Sequence, residues 1–232
     1  MTESHLLSLL FLGFLLGVRH ALDADHVAAM LTLATGNRVL GRSALVGLFW
    51  GMGHTTMLLA VGMVVVFFKL TISSAWAKVF EAGVGVMLVG LGLSLAFALW
   101  RERLHLHAHL HDDGHEHRHV HAHADGKHHE HLHRFRLEYK SLAVGMIHGL
   151  AGSAALLLLV LATVPSLGVG MLYILVFGIG SILGMVLLAT AMSIPFAMGV
   201  DKLSQVQQPL RIIAALFSIV LGSSMILELV GL

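Results

Sequence analysis

Within seven consecutive positions the chain places His20, Asp23, Asp25 and His26, with Arg19 just ahead of them. Imidazole nitrogen and carboxylate oxygen together form a donor set for first-row divalent cations. The residues on either side, Leu6 to Val18 and Val27 to Ala34, are apolar, so the cluster falls near the middle of a stretch long enough to cross a bilayer. A charge at that depth costs about 2.5 to 3.5 kcal/mol per residue on insertion scales, and it survives where it faces a protein interior or a water-filled path. Two more imidazoles lie mid-stretch elsewhere: His54, in Gly51-Met52-Gly53-His54-Thr55-Thr56, and His148, in Gly145-Met146-Ile147-His148-Gly149. Histidines at similar depth on three helices, one of them carrying two aspartates, point to a shared interior site for a divalent cation.

The sequence leaves the co-ligand open. On an ideal helix turning about 100° per residue, His20, Asp23 and His26 share an arc of about 120° while Asp25 points to another side. That favours Asp23 as ligand and leaves Asp25 to hydrogen-bond an imidazole or to line an ion path. Arg19 and Asp23 also have the i, i+4 spacing of an ion pair, in which case Asp25 coordinates. Met52, Met57 and Met146 lie near the same level, where thioethers read as packing.

The elements that must hold these residues follow from composition. Of 232 residues, 57% are hydrophobic and 12% charged, which is the composition of an integral membrane protein. Spanning takes about 20 apolar residues, and six stretches qualify: Leu6 to Ala34, Ala44 to Phe68, Ala75 to Trp100, Ser141 to Thr163, Val169 to Met198 and Pro209 to Val230. Continuous apolar runs require helices, since barrel strands would alternate. The expected fold is therefore all-α with six transmembrane helices: a first three-helix half over residues 1–100, a loop over 101–140 and a second half over 141–232. The amino terminus, Met-Thr-Glu-Ser-His running straight into apolar residues, reads as the first membrane helix rather than a signal peptide. With no cysteine in the chain, thiolate metal sites and thiol–disulfide electron transfer are excluded. Eleven of the 14 Lys and Arg fall on one side of these spans, against Lys69 and Lys78 on the other. The positive-inside rule puts the eleven in the cytoplasm and both termini outside, in a multi-pass protein of the cell (inner) membrane.

The two halves carry an ordered similarity. Gly17, His20 and Leu22 align with Gly145, His148 and Leu150 at one offset, which sets Ser153 opposite Asp25. Gly51, Gly53 and His54 align with Gly178, Gly180 and Ser181. Three helices per half would make this an inverted repeat, whose site lies at the midplane between halves.

The run Arg19-His20-Ala21-Leu22-Asp23-Ala24-Asp25-His26 resembles the signature of the nickel/cobalt transporter superfamily, a membrane helix with a His, four residues, then Asp-His. Phe49-Trp50-Gly51-Met52-Gly53-His54-Thr55-Thr56 is similar to that family's second motif. His148-Gly149-Leu150-Ala151-Gly152-Ser153-Ala154-Ala155 resembles the short urease-accessory nickel permease branch. The resemblance implies movement of Ni²⁺ or Co²⁺ across the membrane, with His20, Asp25, His26 and His54 as the residues carried over. The chain lacks the preceding helix and the later acidic motifs of the longer members.

Between Leu104 and His133 lie thirteen of the eighteen histidines, with alternating runs at His105, His107, His109, His111 and at His115, His117, His119, His121, His123. Such tracts bind metal by composition alone, and few large apolar residues are there to fold them. A disordered cytoplasmic loop that buffers or senses metal is the expectation, with a soluble nickel-accepting protein as its partner.

The leading reading is a secondary permease for nickel or cobalt uptake, with the ion as substrate, the bilayer as environment and no prosthetic group, nucleic acid or enzymatic step. No phosphate-binding Gly-Lys-Ser/Thr loop occurs, which argues against ATP hydrolysis by this chain. The competing readings are efflux, a membrane-anchored metallochaperone and a membrane metalloenzyme.

Overall fold

The computed structural model describes residues 3–34, 39–68, 73–103, 136–151, 166–197 and 204–230. Apart from short turns these are helical: α1 (Glu3–His20), α2 (Ala24–Ala34), α3 (Leu40–Phe67), α4 (Ser74–Arg103), α5 (Arg136–Ala151), α6 (Leu167–Ala197) and α7 (Ser204–Val230). No strand occurs among the described residues. In hydrocarbon every backbone N–H and C=O must find a partner within its own segment, and these apolar runs meet that demand as helices.

Among the described residues four helices are long and apolar enough to span: Leu40–Val65, Ala75–Arg101, Leu167–Ala197 and Gln207–Leu229. The outer surface carries exposed Leu7, Phe11, Phe67, Val86, Phe97 and Val220, as a lipid-facing surface does. On α4 the exposed Trp76 and Trp100 stand 24 residues apart, about 36 Å along a helix, a spacing that suits the two interfacial aromatic belts.

The first expected span is not one continuous helix. α1 and α2 meet at a 54° bend, at Ala21, Leu22 and Asp23. Backbone bonds tighten there from Leu22 N–H to the Arg19 carbonyl (2.9 Å) and from Asp23 N–H to the His20 carbonyl (3.0 Å), the i to i−3 pattern that closes a helix end. The Asp23 carbonyl then accepts from Val27 N–H at 2.9 Å, opening α2. Two helix termini thus meet at the bend, and Asp25 sits in the first turn of α2, where a carboxylate meets the positive end of the helix dipole. The fourth expected span, Ser141 to Thr163, is described as far as Ala151, and the thirteen loop histidines and Ser153 lie outside the described residues.

The helices pair across the two halves: α3 with α6, α4 with α7, α3 with α5 and α1 with α6. Membrane helices gain little from hydrophobic transfer and approach through small residues instead. A Cβ on Gly17 would run into the Phe177 carbonyl, and one on Gly145 into the Trp50 carbonyl. Likewise Gly180 abuts the Phe14 carbonyl and Gly53 the Leu142 carbonyl, while Gly51 packs on Ile182 and Gly178 on Thr55. Each contact has a partner that exchanges the halves at the offsets read from the sequence. α3 and α5 run parallel, joined by Ser141 Oγ donating to the Val46 carbonyl at 2.6 Å and by the Arg42–Glu138 pair at 4.0 Å. Ala28, Ala29 and Met30 of α2, with Val46, Trp50, Leu88 and Met185, form the packed centre beside the bend.

Candidate metal centre

His20 is the last residue of α1 and His26 lies in the first turn of α2, so the bend delivers both rings to one place. His54 arrives from the middle of α3 and His148 from the last turn of α5. All four are buried; His26, His54 and His148 are fully so. Ring centroids stand 4.5 Å apart for His20 and His26 and 5.2 Å for His54 with each of these. His148 lies 4.2 Å from His26 and 6.3 Å from His54.

Carboxylates face three of the four rings. Asp23 Oδ2 lies 2.7 Å from His20 Nδ1. Asp25 Oδ1 accepts from the His26 backbone N–H at 2.9 Å and lies 3.0 Å from His26 Nδ1, while its Oδ2 lies 2.8 Å from His148 Nε2. A ring that donates Nδ1–H to a carboxylate presents its Nε2 lone pair, the arrangement by which metal-binding histidines are oriented. His20 Nε2, His26 Nε2, both nitrogens of His54 and His148 Nδ1 are buried without a hydrogen-bond partner among the described residues. Leaving a buried polar atom unpaired is costly, and a shared cation would satisfy several of them at once.

Two groups of donors converge. One atom each from His20, His26 and His54 lie within 4.8 Å of one another, and so do one each from Asp25, His26 and His148. Two nitrogens bonded at about 2.1 Å to one ion stand at most about 4.2 Å apart, so small ring rotations would close either group around a cation. His26 belongs to both.

Five of the six residues singled out in the sequence, His20, Asp25, His26, His54 and His148, belong to these two groups and Asp23 touches them through His20, but the helical-wheel assignment does not survive. The wheel assumes a straight helix through residue 26, and the bend at 21–23 cancels it. Asp25 turns inward, with its side chain 17% exposed, whereas Asp23 is 53% exposed and reaches only His20. Arg19 is exposed, and Asp23 makes no ion pair with it among the described residues. Met52 and Met146 are 45% and 40% exposed, unlike the buried rings. Trp50 and Phe177 were not anticipated as part of the site: Trp50 stacks on His26 at 5.5 Å and meets His148 edge-on at 5.4 Å, and Phe177 lies 5.5 Å from His20. The available signal was their position one turn ahead of His54 and Ser181.

Comparison with known proteins followed the same lines. Residues 6–232 match the family described as high-affinity nickel-transport protein, NicO. The urease accessory protein UreH of Bacillus sp. (strain TB-90) is 39% identical over 203 residues, 88% of this chain and 84% of that protein. The cobalt transport protein NhlF of Rhodococcus rhodochrous is 46% identical over 59 residues, 23% of this chain and 16% of that protein. No solved structure matches the chain.

Proposed function

The chain belongs to the NicO family of high-affinity nickel-transport proteins, and from that premise we propose that it is a secondary permease carrying Ni²⁺ or Co²⁺ through the buried imidazole centre. The observation that carries this reading is the convergence of His20, His26 and His54 with unpartnered nitrogens, two of the rings held by Asp23 and Asp25. Imidazole donors favour nickel, cobalt, copper and zinc over magnesium and calcium. The ion sheds part of its water shell to the three nitrogens, and the two carboxylates behind them offset its charge. Asp25 acts by holding His26 and His148 in the presenting tautomers; Asp23 does the same for His20.

In the finer reading, α1 and α2 together make one span and the apolar stretch Ser141 to Thr163 makes another, giving six. The halves are related by an inverted repeat whose axis passes near Gly53 and Gly180, a placement supported by the exchanged glycine contacts. Both termini lie outside, the histidine tract lies in the cytoplasm as a buffer for arriving metal and a docking place for a soluble acceptor, and the direction is uptake.

Flux of ⁶³Ni²⁺ into proteoliposomes tests the centre. His20→Ala, His26→Ala and His54→Ala should each lower the initial rate at limiting Ni²⁺ by about ten-fold or more. His5→Ala, at an exposed position in the first turn of α1, should leave it unchanged. Wild-type rates in the three site variants would sink the reading.

A further inference from the structure

His20 and His148 occupy equivalent places in the two halves. Each follows by three residues a glycine seated on a carbonyl of the opposite half, Gly17 on Phe177 and Gly145 on Trp50. Each ring lies against the aromatic residue that bears that carbonyl, at 5.5 Å for Phe177 and 5.4 Å for Trp50. Each also has one nitrogen on a carboxylate and one buried nitrogen without a partner among the described residues. What differs is their standing toward the other donors. His20 completes the all-nitrogen group with His26 and His54, whereas His148 forms the mixed group with His26 and Asp25.

In inverted repeats, alternating access comes from rocking one half against the other around a fixed site. Here such a motion would carry the α1 end and the α5 end past the centre in opposite senses. Resting on the site reading above, we propose that His20 and His148 take turns as ligand: the cation is held by His20, His26 and His54 when the centre opens to one face, and by His148, His26 and Asp25 when it opens to the other. His26 is the residue common to both groups, with Nδ1 on Asp25 and Nε2 without a partner among the described residues. The mixed group replaces an imidazole nitrogen with a carboxylate oxygen, a poorer donor for nickel, so the two faces differ in affinity.

The test is sided flux. Initial rates of ⁶³Ni²⁺ uptake are measured against concentration in right-side-out and in inside-out membrane vesicles containing the full-length chain. His20→Gln should raise the half-saturating concentration at one face by about ten-fold or more, leaving the other within about two-fold. His148→Gln should do the reverse. Glutamine still reaches the neighbouring carboxylate but is a weak ligand, and His20→Asn and His148→Asn, each checked for a single symmetric elution peak, replace any glutamine variant that does not fold. Equal changes at both faces, or one of the two histidines mattering at neither, would overturn the exchange and leave a single fixed centre. His26→Gln should abolish flux at both faces. Undiminished flux in that variant would remove the centre itself, and the exchange with it.

Discussion

Asp23 and Asp25 are the same residue type two positions apart, yet their surroundings assign them unequal work. Asp25 holds two imidazoles and a backbone N–H from a nearly buried position, while Asp23 holds one imidazole from a half-exposed one. Partners of this kind change metal affinity by about 10- to 100-fold, so the two substitutions should fall at opposite ends of that range. Asp23→Asn keeps an acceptor for His20 and should raise the half-saturating Ni²⁺ for flux by about ten-fold. Asp25→Asn keeps an acceptor for His26 but turns a donor toward His148 Nε2, and should raise it by about 100-fold. A larger effect at Asp23 would return that residue to the ligand position suggested by an unbroken helix. That these residues gather at one place was legible because His, Asp, Asp and His in an apolar run are costly at that depth unless they face a protein interior. Their division of labour was not, because it depends on which way the chain turns between His20 and Ala24, and no side-chain periodicity survives a break.

The break is also where a sequence reading of elements fails at the next scale. Leu6 to Ala34 is long, apolar and free of proline, so one helix is its natural reading; yet the structure ends α1 at His20 and opens α2 at Ala24. The cue was the Leu22-Asp23-Ala24-Asp25 run, since Asp readily supplies the residue before a helix start, but charges there were more easily read as ligands. The glycines were legible in the opposite sense: they read as sites of close helix approach, and Gly17, Gly53, Gly145 and Gly180 lie against backbone of the facing helix. They were not alike, however. Gly83 and Gly90 of α4 would have nothing within 4 Å of an added Cβ. Gly17→Val and Gly145→Val should therefore each destabilise the purified protein by about 1 to 3 kcal/mol, the usual cost of overpacking. Gly83→Ala and Gly90→Ala should be neutral or slightly stabilising, since alanine is the better helix former by about 1 kcal/mol. Thermal unfolding in detergent separates the two pairs, and equal losses in all four would mean that the close helix contacts do not carry the packing.

For the whole molecule, composition was enough to establish a helical membrane protein, because 57% hydrophobic residues and 12% charged ones cannot make a solvated surface. Glycine contacts recur in pairs at the offsets read from the sequence, Gly17 on Phe177 with Gly145 on Trp50 and Gly180 on Phe14 with Gly53 on Leu142. The energetics of the whole follow from charge. A Ni²⁺ ion that crosses alone carries two charges through the membrane field. A potential of 100 mV acts on each elementary charge with about 2.3 kcal/mol. On a divalent ion that is about 4.6 kcal/mol, an accumulation of roughly 2,000-fold at equilibrium. Proteoliposomes loaded with potassium and given valinomycin to set an interior-negative potential should concentrate ⁶³Ni²⁺ inside, and collapsing the potential with external potassium should release it. Accumulation indifferent to the potential would require a counter-ion moving with each cycle, and the centre would then have to bind that ion as well.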